Sequence, residues 1–313
     1  GIRRLFNMCS AECNSSPQVM HQVDAFQSLL DNARRWLCPR SSMMGGILHS
    51  NSAKSAMDDK GKFRVSEVES LALIDDLLVS VNLLANTCDS MESIVDIIVG
   101  YLAECPCPYM LAAMVRLVHS MIVSPKTERA NEFLFAFVAR GGVEICLGLI
   151  RALSLRGKFD HKLQGVQTLF GASISLFGYM LETGCISANR TTEVGGSKKV
   201  TKGSVERAVR YAFNRGSKDL LTLDVYRAVM QSALVIDITT NINMTEPVRM
   251  ISAGILGSML ATLSRCGDEV SKQALDDMML IAIAYAENRD LLLSLPEFPN
   301  WLTGVLVKSQ SRE

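Results

Sequence analysis

The sequence predicts an all-α protein built as an α-solenoid of antiparallel helix pairs. Three observations carry that expectation. Of 313 residues, 48% are hydrophobic but only 6% aromatic, so the apolar side chains are mainly Leu, Ile, Val, Ala and Met. A β-sandwich would be richer in aromatics, Thr and turn signals. Sixteen Met residues suit irregular helical cores, because the unbranched thioether fills uneven gaps. Apolar residues recur at helical spacing along most of the chain, broken by Gly, Pro and polar links.

Gln18 to Leu37 reads as the first helix. Ser15 and Ser16 supply caps, Pro17 suits a first turn, and Val19, Val23, Phe26, Leu29, Leu30 and Trp36 share a face. Cys38-Pro39 ends it, and Arg40 to Lys62 is a Ser/Gly/Met/Lys-rich linker without periodicity. Ser66 with Glu69 forms a capping box for a helix whose inner face is Leu71, Ile74, Leu77, Leu78, Val81, Leu84 and Ala85. Asp89 or Ser90 opens a helix over Met91 to Ala103. Cys105-Pro106-Cys107-Pro108 forces a break, because each Pro lacks a donor and restricts its predecessor. Tyr109 to Val123 follows, and Ser124-Pro125 stops it.

Thr127 to Ala139 is amphipathic, with Phe133, Leu134, Phe137 and Val138 inward. Gly141-Gly142 then joins it to an apolar helix. One Gly adopts the left-handed helix-end conformation, and the second lets the next helix turn back closely. Phe159 to Glu182 reads as one long helix with a kink near Gly171 or Gly178. Thr183 to Gly203 is too polar to bury enough surface to order itself and reads as an exposed insertion. Further helices are expected over Ser204 to Asn214 (capped by Ser204), Leu220 to Ile238, Pro247 to Leu263 and Asp268 to Ala286. The last has the inward face Val270, Ala274, Leu275, Met278, Met279 and Ile281, with Asp276-Asp277 on its solvated side. Glu287-Asn288-Arg289 reads as a link between helices. Short helices over Asn288 to Leu295 and Trp301 to Val307 complete the chain.

Ten to twelve helices result, with no convincing strand. Their pairing period lies near the ~40–47 residues of HEAT and armadillo repeats, so the expected fold is an armadillo/HEAT-like solenoid. Four segments follow: a helix plus flexible linker at 1–64, helical repeats at 65–182, a disordered insertion at 183–203, and further repeats of the same solenoid at 204–313.

Lys+Arg and Asp+Glu balance at 32 each, which argues against a nucleic-acid binder. A neutral chain beginning at Gly1 fits a piece of a larger protein. The nine scattered Cys residues are odd in number, and Cys88, Cys146, Cys185 and Cys266 sit inside or at the edges of apolar runs, so a reducing, cytoplasmic compartment is expected. The glycosylation-type triplets at Asn14, Asn189 and Asn243 are discounted on that basis. No window has the ~18 continuous apolar residues of a membrane span.

Catalytic chemistry finds no support. Cys105-x-Cys107 and Cys9-x3-Cys13 lack matching second pairs, and His21, His49, His119 and His161 stand far apart, so no metal is expected. Neither Gly141-Gly142 nor Gly195-Gly196 is a phosphate loop. No catalytic residue, cofactor or small-molecule substrate is expected. Two groups remain as partner-binding candidates. Lys198, Lys199 and Lys202, with Arg207 and Arg210, form a modest basic patch beside the insertion. Ser187, Thr191, Thr192, Ser197 and Thr201 make that insertion a candidate phosphorylation target. Phe298 and Trp301, flanked by Pro296 and Pro299, either dock a partner or close the end of a helix pair.

The run from Lys272 to Leu306 carries a resemblance. It contains Ala274-Leu275-Asp276-Asp277-Met278-Met279-Leu280-Ile281-Ala282, then Glu287-Asn288-Arg289, then Pro296-Glu297-Phe298-Pro299-Asn300-Trp301-Leu302. This resembles the armadillo-like region of BEACH-domain proteins of the neurobeachin and Chediak-Higashi type, plant members above all, with Phe298 where a Trp is usual. The Gly141-Gly142 junction is also similar. The match spans about 35 residues. The BEACH domain, PH-like domain and WD repeats of the family lie outside this sequence, so no site residue is carried over. The resemblance implies a scaffold segment of a very large cytosolic protein, peripheral on endosomal or other membranes and acting through protein partners in vesicle traffic. The alternative is a free-standing armadillo/HEAT adaptor for transport or cytoskeletal partners.

Overall fold

The computed structural model describes residues 19–37, 79, 90–123, 128–155, 159–183, 185–186, 200–215, 218–234, 254–263 and 268–310. Among them are twelve α-helices, one 3-10 turn and no strand. The protein is all-α. Apart from Val79, the expected helix at 66–86 lies outside the described residues, as do the linker at 40–62, Lys198, Lys199 and most of the insertion. The chain divides into two compact units. One comprises Gly1–Gly148 with Gly157–Leu169, the other Leu149–Arg156 with Phe170–Glu313.

The first unit is built from α1 (Val19–Leu37), α2 (Met91–Glu104), α3 (Pro108–Val123), α4 (Glu128–Ala139) and the start of α5 (Gly142–Leu153). Helix α1 packs on α2 and α3, and α4 closes over both α2 and α3. Helix α3 is buried almost all round, from Met110 through Val115 and again at Leu117, Val118, Met121 and Ile122, as expected of a central helix. Pro108 opens it at the first helical position, where the missing N–H has no intrahelical role. Cys105 before it is extended and ends α2.

The α4–α5 junction bears out the two-glycine reading. Gly141 has φ 75°, and its amide donates to the Val138 carbonyl at 3.1 Å. A Cβ on Gly142 would lie 2.4 Å from the Phe137 ring, so only Gly lets the chain turn back here. Phe133 and Phe137 are buried and stacked at 6.0 Å. Val138, expected inward, is exposed instead, because the α2 and α3 contacts fall on the Phe133–Phe137 face.

Helix α6 (Gln164–Glu182) begins later than its hydropathy suggests. Asp160 diverts the chain first: its carboxylate accepts from the Lys162 amide at 3.0 Å and its carbonyl from Leu163 at 3.1 Å. The division between units falls within α6, at Leu169/Phe170.

The second unit contains the rest of α6, α7 (Lys202–Arg215), a 3-10 turn at Lys218–Leu220, α8 (Leu223–Leu234), α9 (Gly254–Leu263), α10 (Asp268–Ala284), α11 (Ala286–Ser294) and α12 (Glu297–Gln310). Helix α9 is its hub, packing on α7, α8 and α12. Helix α7 is capped by Thr201 rather than Ser204. The Ser204 amide donates to Thr201 Oγ1 at 3.3 Å and the Thr201 amide donates back to Ser204 Oγ at 2.9 Å, a reciprocal box. Thr222 caps α8 in turn, accepting from the Val225 amide, so that helix starts at Leu223 and not at Leu220.

Glu287-Asn288-Arg289 is not a link but the first turn of α11. A single extended residue, Tyr285, separates it from α10. Asn288 is fully buried, and its Nδ2 donates to the Ile281 carbonyl at 3.2 Å, satisfying a helix-end acceptor. Pro299 sits in the first turn of α12, where its lack of an N–H costs no intrahelical bond, so this helix runs much further than Trp301 to Val307.

At Gly178, α6 passes close against α8. A Cβ there would stand 2.4 Å from Ser232 Cβ and 3.0 Å from its Cα. Gly178→Ala is therefore expected to cost about 1–3 kcal/mol by overpacking. The double variant Gly178→Ala/Ser232→Gly should lose less than the sum of the single changes, as read from urea midpoints.

Candidate functional site

The candidate residues lie in the second unit. Phe298 and Trp301, at 9% and 2% exposure, face inward from α12 with ring centroids 5.9 Å apart. They close the core, as the packing alternative expected, and are not an exposed docking pair. Burial of the indole N–H without a hydrogen-bond partner underlines how completely Trp301 is enclosed. Lys202 stands in the first turn of α7 with Nζ 3.9 Å from Glu206. Lys198 and Lys199 lie outside the described residues.

A further link between these regions escaped sequence reasoning. Arg210 of α7 reaches Glu297 at 3.5 Å, tying the basic helix to the start of α12. The Cβ of a residue at 257 would touch Leu295 and Glu297, so Gly257 of α9 is what lets α12 sit this close.

Asp277 corrects another expectation. It is not on the solvated side of α10 but buried, accepting from the Tyr226 hydroxyl at 2.7 Å and from Gln273 Nε2 at 2.8 Å. Burial and the Asp277 carboxylate together push the Tyr226 phenol upward, so it stays protonated and remains a donor. Met279, expected inward, is exposed, together with Leu280 and Ile283, the last at 77%. These three residues lie on one stripe of α10, at spacings of one and four residues. Leu293 of α11 and Leu306 and Val307 of α12 are exposed too. Val270, Ala274, Met278 and Ile281 keep the expected inward face of α10, and the Tyr226 contact adds Asp277 to it, which leaves Met279 outside.

In the first unit, Gln27, Asp31, Arg34, Asp96, Tyr101 and Glu104 line a cleft of about 230 Å³. The Tyr101 hydroxyl donates to Asp31, and the Arg34 guanidinium lies 5.8 Å from the Tyr101 ring centroid. Burial and Asp31 raise the Tyr101 phenol. Arg140 pairs with Asp96 at 2.9 Å and Glu92 at 3.6 Å. The cleft is smaller than the roughly 300–1,000 Å³ of ligand sites, and its Asp31–Tyr101 bond reads as a clasp between α1 and α2.

Four cysteines are described. Cys105, Cys107 and Cys146 are buried and Cys185 is partly exposed, with no disulfide among them. Burial pushes the Cys146 thiol up to about 12. Among the described residues no group of three His, Cys, Asp or Glu side chains is arranged to hold a metal ion, and no single helix is long and apolar enough to cross a membrane.

No family model, curated protein or solved structure matches this chain. The site therefore has to be read from its own geometry. Its accessible features are the apolar stripe on α10 and the charged face of α7, both suited to contact with macromolecules.

Proposed function

We propose that this chain is a non-catalytic, protein-binding segment of an armadillo/HEAT-type α-solenoid within a large BEACH-type protein of vesicle or membrane traffic. The observation that carries the binding role is the exposed stripe Met279, Leu280 and Ile283, set on a helix whose opposite face is fully packed. Large apolar side chains exposed together on one face mark contact surfaces. The solenoid reading is supported by packing within each unit, where helices contact partners one to three places away in order. The BEACH-type parent is supported by the run from Lys272 to Leu306. In this reading the parent is cytoplasmic and peripheral on endosomal or other membranes, and the segment takes no cofactor or small-molecule substrate.

Two measurements test it. Met279→Glu/Ile283→Glu changes exposed residues only and should leave stability within about 0.5 kcal/mol. The same variant should lose the cross-linked protein partners that the wild-type chain captures. Unchanged capture would exclude the α10 stripe. An antibody raised against the chain should detect a salt-extractable, membrane-associated polypeptide many times the 34.3 kDa of this sequence. A native product of that lower mass would remove the BEACH-type parent and leave the free-standing adaptor.

A further inference from the structure

Helix α7 divides its side chains sharply. Val205, Ala208, Val209, Ala212 and Phe213 are buried. Arg207, Arg210, Tyr211, Asn214 and Arg215 are exposed, at spacings of three, four, seven and eight residues, which places them on one stripe. The helix has four basic residues (Lys202, Arg207, Arg210, Arg215) against one acid, Glu206, although the whole chain is neutral. Glu206 sits off the stripe and pairs with Lys202.

We infer that this stripe is a docking surface for an acidic protein segment, one presenting Asp or Glu side chains about one helical turn apart. Charge complementarity sets the partner's sign, and residue type sets its chemistry. Three of the five exposed groups are guanidinium forks, which match carboxylates in two-point geometry, where a lysine offers only a point charge. The fold already contains one guanidinium–carboxylate ion pair on this helix, a single approach of Arg210 to Glu297 at 3.5 Å. The Arg215 guanidinium lies 5.8 Å from the exposed Tyr211 ring, a cation–π contact that holds it out over the stripe. Arg207 donates through Nε to the Gly203 carbonyl at 3.0 Å, which likewise limits its freedom. Groups held in place before binding lose less entropy on docking.

Two other polyanions fit less well. A bilayer-seeking helix carries several large apolar side chains beside its cations, and α7 exposes only Tyr211. Single-stranded nucleic acid calls for successive stacking platforms, and this helix offers one ring. The inference rests on the protein-binding reading above and supplies the chemistry of a partner, through a face separate from the α10 stripe.

The test uses the full 313-residue chain and a fluorescein-labelled Glu-rich peptide, followed by anisotropy at low and moderate salt. Binding is expected, weakening as salt rises. Arg207→Glu/Arg215→Glu, which spares the Arg210–Glu297 contact, should reduce affinity by at least about tenfold. Its melting curve should match the wild type. Arg207→Lys/Arg215→Lys should fall between the two, since it keeps charge and loses the fork. Three results would overturn the inference: no peptide binding at low salt, equal binding by the Glu variant, or tighter binding to phosphatidylserine vesicles or single-stranded RNA than to the peptide. Each is separable from the scaffold reading, which stands or falls on Met279 and Ile283.

Discussion

Replacing Trp301 by Ala is expected to destabilise the chain by about 3–5 kcal/mol and lower its melting temperature by roughly 10 °C. The indole is 2% exposed and packs against Phe298 at the end of the second unit. Truncation removes that buried area and leaves a cavity that flanking helices can only partly fill. Trp301→Phe should be much milder. It keeps an aromatic ring in the site and removes an indole N–H that is buried without a partner. Differential scanning fluorimetry of the three proteins decides the matter. A docking role would give the reverse pattern: an unchanged melting temperature in the Ala variant, with partner binding lost.

The second large effect is a loss of stability in acid, carried by His119. This residue lies on α3, and burial lowers its pKa from 6.5 to about 4. The sign follows from proton counting. Above 6.5 the imidazole is neutral in both folded and unfolded chains, so it adds no pH dependence. Between 6.5 and about 4 the unfolded chain takes up a proton that the fold rejects, and stability falls as pH falls. Below about 4 both states bind it and the decline ends. The total is on the order of 3 kcal/mol. Urea unfolding near neutrality and at about pH 4.5 should show it, and His119→Gln should remove most of the difference. Equal slopes in the two proteins would mean that the carboxylates, not His119, carry the acid sensitivity.

Much of the architecture was legible because it depends on local chemistry. Gly141 and Gly142 could be read as a helix reversal, since one needs a positive φ and the other a missing Cβ, and both requirements hold. The Cys105-to-Pro108 break was equally local. Helix starts were less secure. Thr201 and Ser204 are both good caps, and only the hydrogen bonds place Thr201 at the cap and Ser204 inside the first turn. Asp160 displaced the start of α6 for a similar reason: its Asx turn competes with a helix that hydropathy alone would extend.

The candidate site was harder to read. Lys202 and Arg210 were visible as a basic cluster, but not the stripe that adds Tyr211, Asn214 and Arg215. Periodicity shows that such residues share a face only once the buried face is known. Asp277 was the plainest case. A charged residue in an amphipathic pattern defaults to solvent, and the partner that reverses this, Tyr226, lies 51 positions away on another helix. The turn of α10 that buries Asp277 also leaves Met279 and Ile283 outside.

The sequence by itself determined an all-helical chain, its main breaks and its reversal at two glycines, because those follow from backbone freedom, proline and hydrophobic periodicity within a few residues. Only the tertiary structure decided which apolar residues are core and which are surface. Burial is a property of helix pairs, and residues such as Asp277, Phe298 and Ile283 acquire an inside or an outside only when a second helix arrives.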